Sequence, residues 1–119
     1  TATLRIEDRA HPATAHLGDT WVREDEWYSF TSNPRAPGIR VLAALDESTY
    51  TPEDWGRDIR MGADHPIIWS HCVGRGRALY SALGHKAEYY SEPPHARLLE
   101  GAIAWAAGLE EPGACDPAP

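Results

Sequence analysis

With 119 residues, 42% of them hydrophobic and 24% charged, the chain has the make-up of one small globular domain rather than a disordered or fibrous polymer. A net charge of −7 with a pI near 5.2 and no basic stripe argues against nucleic acid and anionic membrane as partners. No apolar run approaches a membrane span and no signal-peptide pattern opens the chain, so a cytoplasmic protein is expected.

Ala2 to Asp8 alternates as a strand does, and its abrupt opening without a Met reads as the interior of a larger domain. His11-Pro12-Ala13-Thr14 is a turn, because proline pushes the preceding residue out of helical geometry. Leu17-Gly18-Asp19 begins a short helix or loop carrying Trp21. Trp27 to Phe30 alternates bulky and small residues, which suits another strand. After the turn cluster Asn33-Pro34-Arg35-Ala36-Pro37-Gly38, Ile39 to Leu45 is the plainest strand of the sequence. Ser48 to Gly62 is polar and reads as a long surface excursion, with a short helix from Pro52 capped by Thr51 as an option.

The stretch Asp64 to His85 dominates the pattern. Two apolar runs, Ile67 to Val73 and Arg77 to Leu83, flank Gly74-Arg75-Gly76 and predict an antiparallel hairpin. Being apolar on both faces, it is expected to be central and buried. Ala87 to Glu92 is loop, Pro93-Pro94 stops the preceding element, and His95 to Ala107 has the apolar spacing of an amphipathic helix ending at Gly108. Residues 109–119 are expected to be a disordered tail. Cys72 reads as a small core side chain and Cys115 as part of that tail, with no disulfide framework.

Several short motifs occur in a defined order: His11-Pro12-Ala13-Thr14, Asp25-Glu26-Trp27-Tyr28, Leu45-Asp46, Asp64-His65-Pro66-Ile67-Ile68-Trp69, Gly74-Arg75-Gly76-Arg77, Leu83-Gly84-His85 and Gly101-Ala102-Ile103-Ala104-Trp105-Ala106. The series resembles the C-terminal half of the trehalose-utilisation (ThuA-like) domain, over roughly residues 3 to 108. The resemblance implies an α/β fold of the class I glutamine amidotransferase-like (flavodoxin-like) type, of which this chain, residues 1–108, would be the strand-rich half. It implies sugar catabolism, acting on trehalose, a related disaccharide or a keto-sugar, with this chain expected to be a fragment, a processed product or a domain whose N-terminal half comes from elsewhere. Pairing with that half, or self-association, would then be expected.

Glu26 and His85 are the leading candidates for a proton-transfer pair, with His65 as a third catalytic or orienting residue held extended by Pro66 and oriented by Asp64. On a strand, Tyr28 would share a face with Glu26 and could orient a sugar oxygen, against the plainer reading of a packed tyrosine beside an acidic turn. Trp55 in the polar excursion is the leading candidate for a sugar-stacking surface, with Tyr89-Tyr90 as further candidates and Trp69, on the central run, read as core. Arg77 could bind a substrate oxygen or pair with an acid in the core. A zinc-like divalent metal could be held by His11, Glu26, His65 and His85, although no local spacing demands it. His16, His71 and His95 read as packing or surface residues, and Gly74-x-Gly76 joins strand to strand, so it is a turn and not a phosphate loop. The alternative to catalysis is a carbohydrate-binding or assembly module.

Overall fold

The computed structural model describes residues 1–54 and 56–110. Its centre is a five-stranded antiparallel sheet. The strands are β1 (Ala2–Ile6), β2 (Thr20–Arg23), β3 (Ile39–Asp46) and, further along, the hairpin Pro66–Val73 and Gly76–Ser81. Between β3 and that hairpin lies a minimal second ribbon, β4 (Glu53–Asp54) and β5 (Arg57–Asp58). The hairpin strands are therefore β6 and β7, and the sheet order is β2-β1-β3-β6-β7. A 3-10 turn over Ala87–Ser91, where a loop was expected, leads into α1 (Pro93–Ala106), the one α-helix among the described residues. Every pairing in the sheet is antiparallel, so the described residues form a mixed sheet-and-helix unit without a parallel βαβ unit.

β3 is the most deeply placed strand. Val41, Leu42, Ala43, Ala44 and Leu45 are all buried, which requires cover on both faces of the sheet. One core gathers Ala2, Leu4 and Ile6 of β1 with Leu42, Ala43 and Leu45, Ile67 and Ile68, and Leu98 and Ala102 of α1. Trp27, Phe30 and Tyr50 pack against it from irregular segments. Phe30 meets the Trp69 ring edge-on at 5.2 Å, and Trp69 stacks on Tyr80 at 4.5 Å across the β6–β7 pair. These rings pin the 24–30 segment to the sheet.

The hairpin forms where expected, with Val73 paired to Gly76 across a two-residue turn. It is not central: β7 is an edge strand, and the end of β6 (Cys72, Val73) is exposed. Cys72 is accordingly not a core side chain, and it is disulfide-bonded, against the expectation of reduced cysteines. Three further expectations are corrected. Thr20–Arg23, read as helix or loop, is β2, because its backbone pairs with β1 from Ala2–Arg23 to Arg5–Thr20. Trp27 to Phe30, read as a strand, has no ladder partner, and its aromatic alternation reflects packing onto the sheet face. No helix starts at Pro52; a 3-10 turn at Glu47–Thr49, capped by Asp46, precedes the β4–β5 ribbon.

Pro93 and Pro94 open α1 rather than end the element before it, since the first helical positions need no N–H donor. Its end is a Schellman cap: Gly108 (φ 80°) and Leu109 return their N–H groups to Trp105 and Ala104. Arg77 of β7 donates to the Trp105 carbonyl at 2.8 Å and lies over the Trp105 ring. It ties the edge strand to the helix terminus, so the structure places this predicted substrate contact in a structural role. No described helix is long and apolar enough to cross a membrane.

Candidate functional site

A cleft of about 320 Å³ opens between the 24–27 segment, the 50–59 excursion and the loop after β7. Its lining includes Glu24, Glu26, Trp27, Tyr50, His85 and Tyr89. Glu26 and His85, 59 positions apart in sequence, meet there. His85 Nδ1 lies 2.7 Å from Glu26 Oε2, with the two side chains 51% and 37% exposed. A carboxylate only accepts, so a hydrogen bond across this contact requires the proton on Nδ1, which leaves Nε2 as the ring's basic atom. The Tyr28 hydroxyl also donates to Glu26. Burial first, then that carboxylate, pushes the Tyr28 phenol above its ordinary range. Tyr28 and His85 share a smaller adjoining hollow with Tyr80 and Gly84. Tyr28, Glu26 and His85 thus form one connected set, although Tyr28 is not on a strand.

The backbones beneath this set are held by Asp25, whose side chain is fully buried against Arg23. Arg23 also reaches Glu92 at the start of α1 and lies over the Trp21 and Tyr89 rings. Gly84 sits at φ 106° with Tyr90 directly against it, and the Tyr90 hydroxyl donates to the Gly84 carbonyl at 2.9 Å. A residue with a side chain fits that place poorly, so the glycine preceding His85 is required by geometry.

His65 is placed differently. It is fully buried, with Nδ1 2.8 Å from Glu47 Oε2 and Nε2 2.8 Å from the Tyr28 carbonyl. Both ring nitrogens are engaged and neither faces the cleft solvent, so His65 holds the Tyr28 backbone in place and offers no atom to a substrate. Its partner is Glu47, not the predicted Asp64. Asp64 instead accepts from Arg35 and Asn33. Glu47 also accepts from the Met61 and Gly62 N–H groups, which closes the 47–62 excursion at its base. Burial works to raise the Glu47 carboxyl, but donation from Met61, His65 and Gly62 outweighs it and holds the group below the usual carboxylate range.

His11 lies under α1, fully buried, with its ring 4.8 Å from that of Trp105 and Nδ1 accepting from the Ala13 N–H. Burial, reinforced by the nearby Arg40, pushes its pKa down to about 4. His11, Glu26, His65 and His85 do not converge: among the described residues no group of three or more His, Cys, Asp or Glu could hold a metal ion. Trp55, the predicted stacking residue, lies outside the described residues, and Trp27, Tyr50 and Tyr89 supply the aromatic walls instead. Tyr89 is among the stacking candidates the sequence offers, whereas Trp27 and Tyr50 carry no such signal, because the cleft is built from three segments that meet only in the fold. Glu47 was equally hidden, since nothing local marks it as the partner of a histidine 18 positions away.

The family profile described as ThuA, trehalose utilisation, matches residues 1–106. The crystal structure of a ThuA-like protein from Bacteroides uniformis superposes with a TM-score of 0.71 at 28% identity, over 88% of this chain and 42% of that one. Platelet-activating factor acetylhydrolase of Canis lupus familiaris is 30% identical over 74 residues, 58% of this chain and 16% of that protein. The chain therefore spans less than half the length of these relatives. Matched across its sheet, its cleft segments and its helix, the chain belongs to the ThuA, trehalose-utilisation family.

Proposed function

We propose that the Glu26–His85 cleft takes a disaccharide or keto-sugar and performs acid–base chemistry on it. The observation that carries this reading is the 2.7 Å carboxylate–imidazole contact at the mouth of an aromatic-walled cleft. In this arrangement Glu26 fixes the ring and its tautomer, and Nε2 of His85 accepts a proton from a substrate hydroxyl or from a carbon beside a carbonyl. The imidazolium that results is stabilised by Glu26, and returning the proton completes the cycle. Tyr28 donates to the same carboxylate and holds it in register. Trp27 and Tyr50 line the cleft with rings suited to the C–H side of a pyranose, while Tyr89, buried beneath Arg23, backs the wall. The cleft volume is at the low end of the range for small-molecule sites. No step is assigned to a metal, because the candidate ligands do not gather.

The fold reading that goes with this function is the glutamine amidotransferase-like α/β type, supported by the likeness to a longer ThuA-like chain. The antiparallel unit described above would be its strand-rich part. Turnover or exchange of trehalose and of a keto-disaccharide, followed by proton NMR, tests the proposal. Glu26→Gln and His85→Ala are each expected to lower the rate by at least about 100-fold, the usual scale of general acid–base assistance. Binding of the sugar that survives both substitutions, with no turnover in the unmodified chain, would instead favour a carbohydrate-binding module.

A further inference from the structure

We infer that Asp25 is the positioning residue that builds the Glu26–His85 pair, an assignment that rests on reading that pair as the proton-transfer unit. The argument starts from one oxygen atom. Asp25 Oδ1 accepts the backbone N–H of Glu26 at 2.8 Å and the backbone N–H of His85 at 3.1 Å. Both members of the pair therefore hang from a single acceptor, although 59 positions separate them. Oδ2 accepts from the Gly84 N–H at 2.9 Å and from Arg23 Nη2 at 2.9 Å. Four donors converge on a side chain that is 0% exposed, paired with an arginine side chain only 2% exposed.

Glu26 and Gly84-His85 lie outside every strand and helix, and no sheet ladder fixes their separation. A buried carboxylate with four donors is well satisfied, and donors to a charged acceptor make the stronger class of hydrogen bond. The chemistry also excludes the nearest substitute. In Asp25→Asn one oxygen becomes an NH2 group. Placed at Oδ1 it would face the Glu26 and His85 N–H groups, and placed at Oδ2 it would face Gly84 and Arg23. Neither amide orientation satisfies all four donors.

The test is nitrogen-15 NMR of the His85 imidazole in the unmodified chain, in Asp25→Asn and in Glu26→Gln. The unmodified chain is expected to show a protonated, carboxylate-bound Nδ1. Asp25→Asn is expected to lose that signature as completely as Glu26→Gln does, while the amide shifts of β1, β3 and β6 stay in place. A wild-type signature retained in Asp25→Asn overturns the positioning role and leaves the pair intact. A signature unchanged in Glu26→Gln overturns the pair itself. Should Asp25→Asn fail to fold, amide exchange in the unmodified chain decides the question. Gly84 and His85 belong to no ladder, so protection of both by more than about tenfold is expected from Asp25 alone, and free exchange of either refutes the role.

Discussion

Replacing Gly101 by alanine sets two physical effects against each other. Gly101 lies inside α1, where glycine is about 1 kcal/mol worse than alanine by intrinsic propensity, so an exposed site would gain that amount. Here the added Cβ would stand 2.3 Å from the Pro12 carbonyl oxygen, 2.7 Å from its carbon and 3.0 Å from Ala13 Cα. Those atoms are backbone, so no rotamer change relieves the overlap. An ordinary contact of about 3.5 Å requires the helix or the 11–14 turn to move by roughly 1 Å. Overpacking of this kind costs about 1–3 kcal/mol or more. Because backbone meets backbone the cost falls in the upper part of that range, and after the propensity gain of about 1 kcal/mol the net effect is a loss of about 1–2 kcal/mol. Urea unfolding of Gly101→Ala beside the unmodified chain measures it, with a companion drop in Tm of roughly 4 °C per kcal/mol. A variant more stable than the parent would show that the helix does not seat on Pro12 as described.

Arg23→Met removes the cation facing a fully buried Asp25 and should cost about 3–5 kcal/mol in equilibrium unfolding, far more than an exposed pair would; a loss below about 1 kcal/mol would mean that Asp25 is not buried as a charge. Gly84→Ala forces a side chain to φ 106° and into the Tyr90 ring, so it should abolish the His85 Nδ1 signature while leaving the strands intact, as read by NMR. His11 has a folded-state pKa near 4 against an ordinary 6.5, so the unfolded chain takes up the proton first as pH falls. Its contribution is present above about pH 6.5 and is lost on going down to about 4, on the order of 3 kcal/mol in all. The same window in His11→Asn, which keeps an acceptor for the Ala13 N–H, should lack that slope; equal slopes in both proteins would refute the assignment.

What the sequence made legible follows from how local each signal is. The β6–β7 hairpin is written in its two apolar runs and the glycines between them, and α1 in its apolar spacing and its closing Gly108. β2 was missed because Thr20-Trp21-Val22-Arg23 is too short for periodicity to show, and its extended form comes from pairing with β1. The hairpin's edge position was also hidden, since β6 pairs with β3 and shares its core through Ile67 and Ile68, while β7 has β6 alone as a neighbour among the described strands. For the site, Glu26 and His85 were marked by an acidic pair before an aromatic run and by a glycine–histidine strand exit. His65 and Arg77 carried equally suggestive residue types, yet the fold spends them on the Tyr28 carbonyl and the Trp105 carbonyl. Asp25 stood beside Glu26 in plain view, but two of its four donors, the Gly84 and His85 N–H groups, come from a distant stretch of the chain. Only tertiary structure shows them converging.

The most direct measurement is a trehalose titration of the isotope-labelled chain, with the shift changes mapped onto residues. Changes centred on Trp27, Tyr50, His85 and Tyr89, and abolished by Glu26→Gln, are the predicted result. Changes centred instead on a second hollow, lined by Leu79, Leu99 and Ile103 between β7 and α1, or unaltered by Glu26→Gln, or absent from the cleft at saturating sugar, would contradict it.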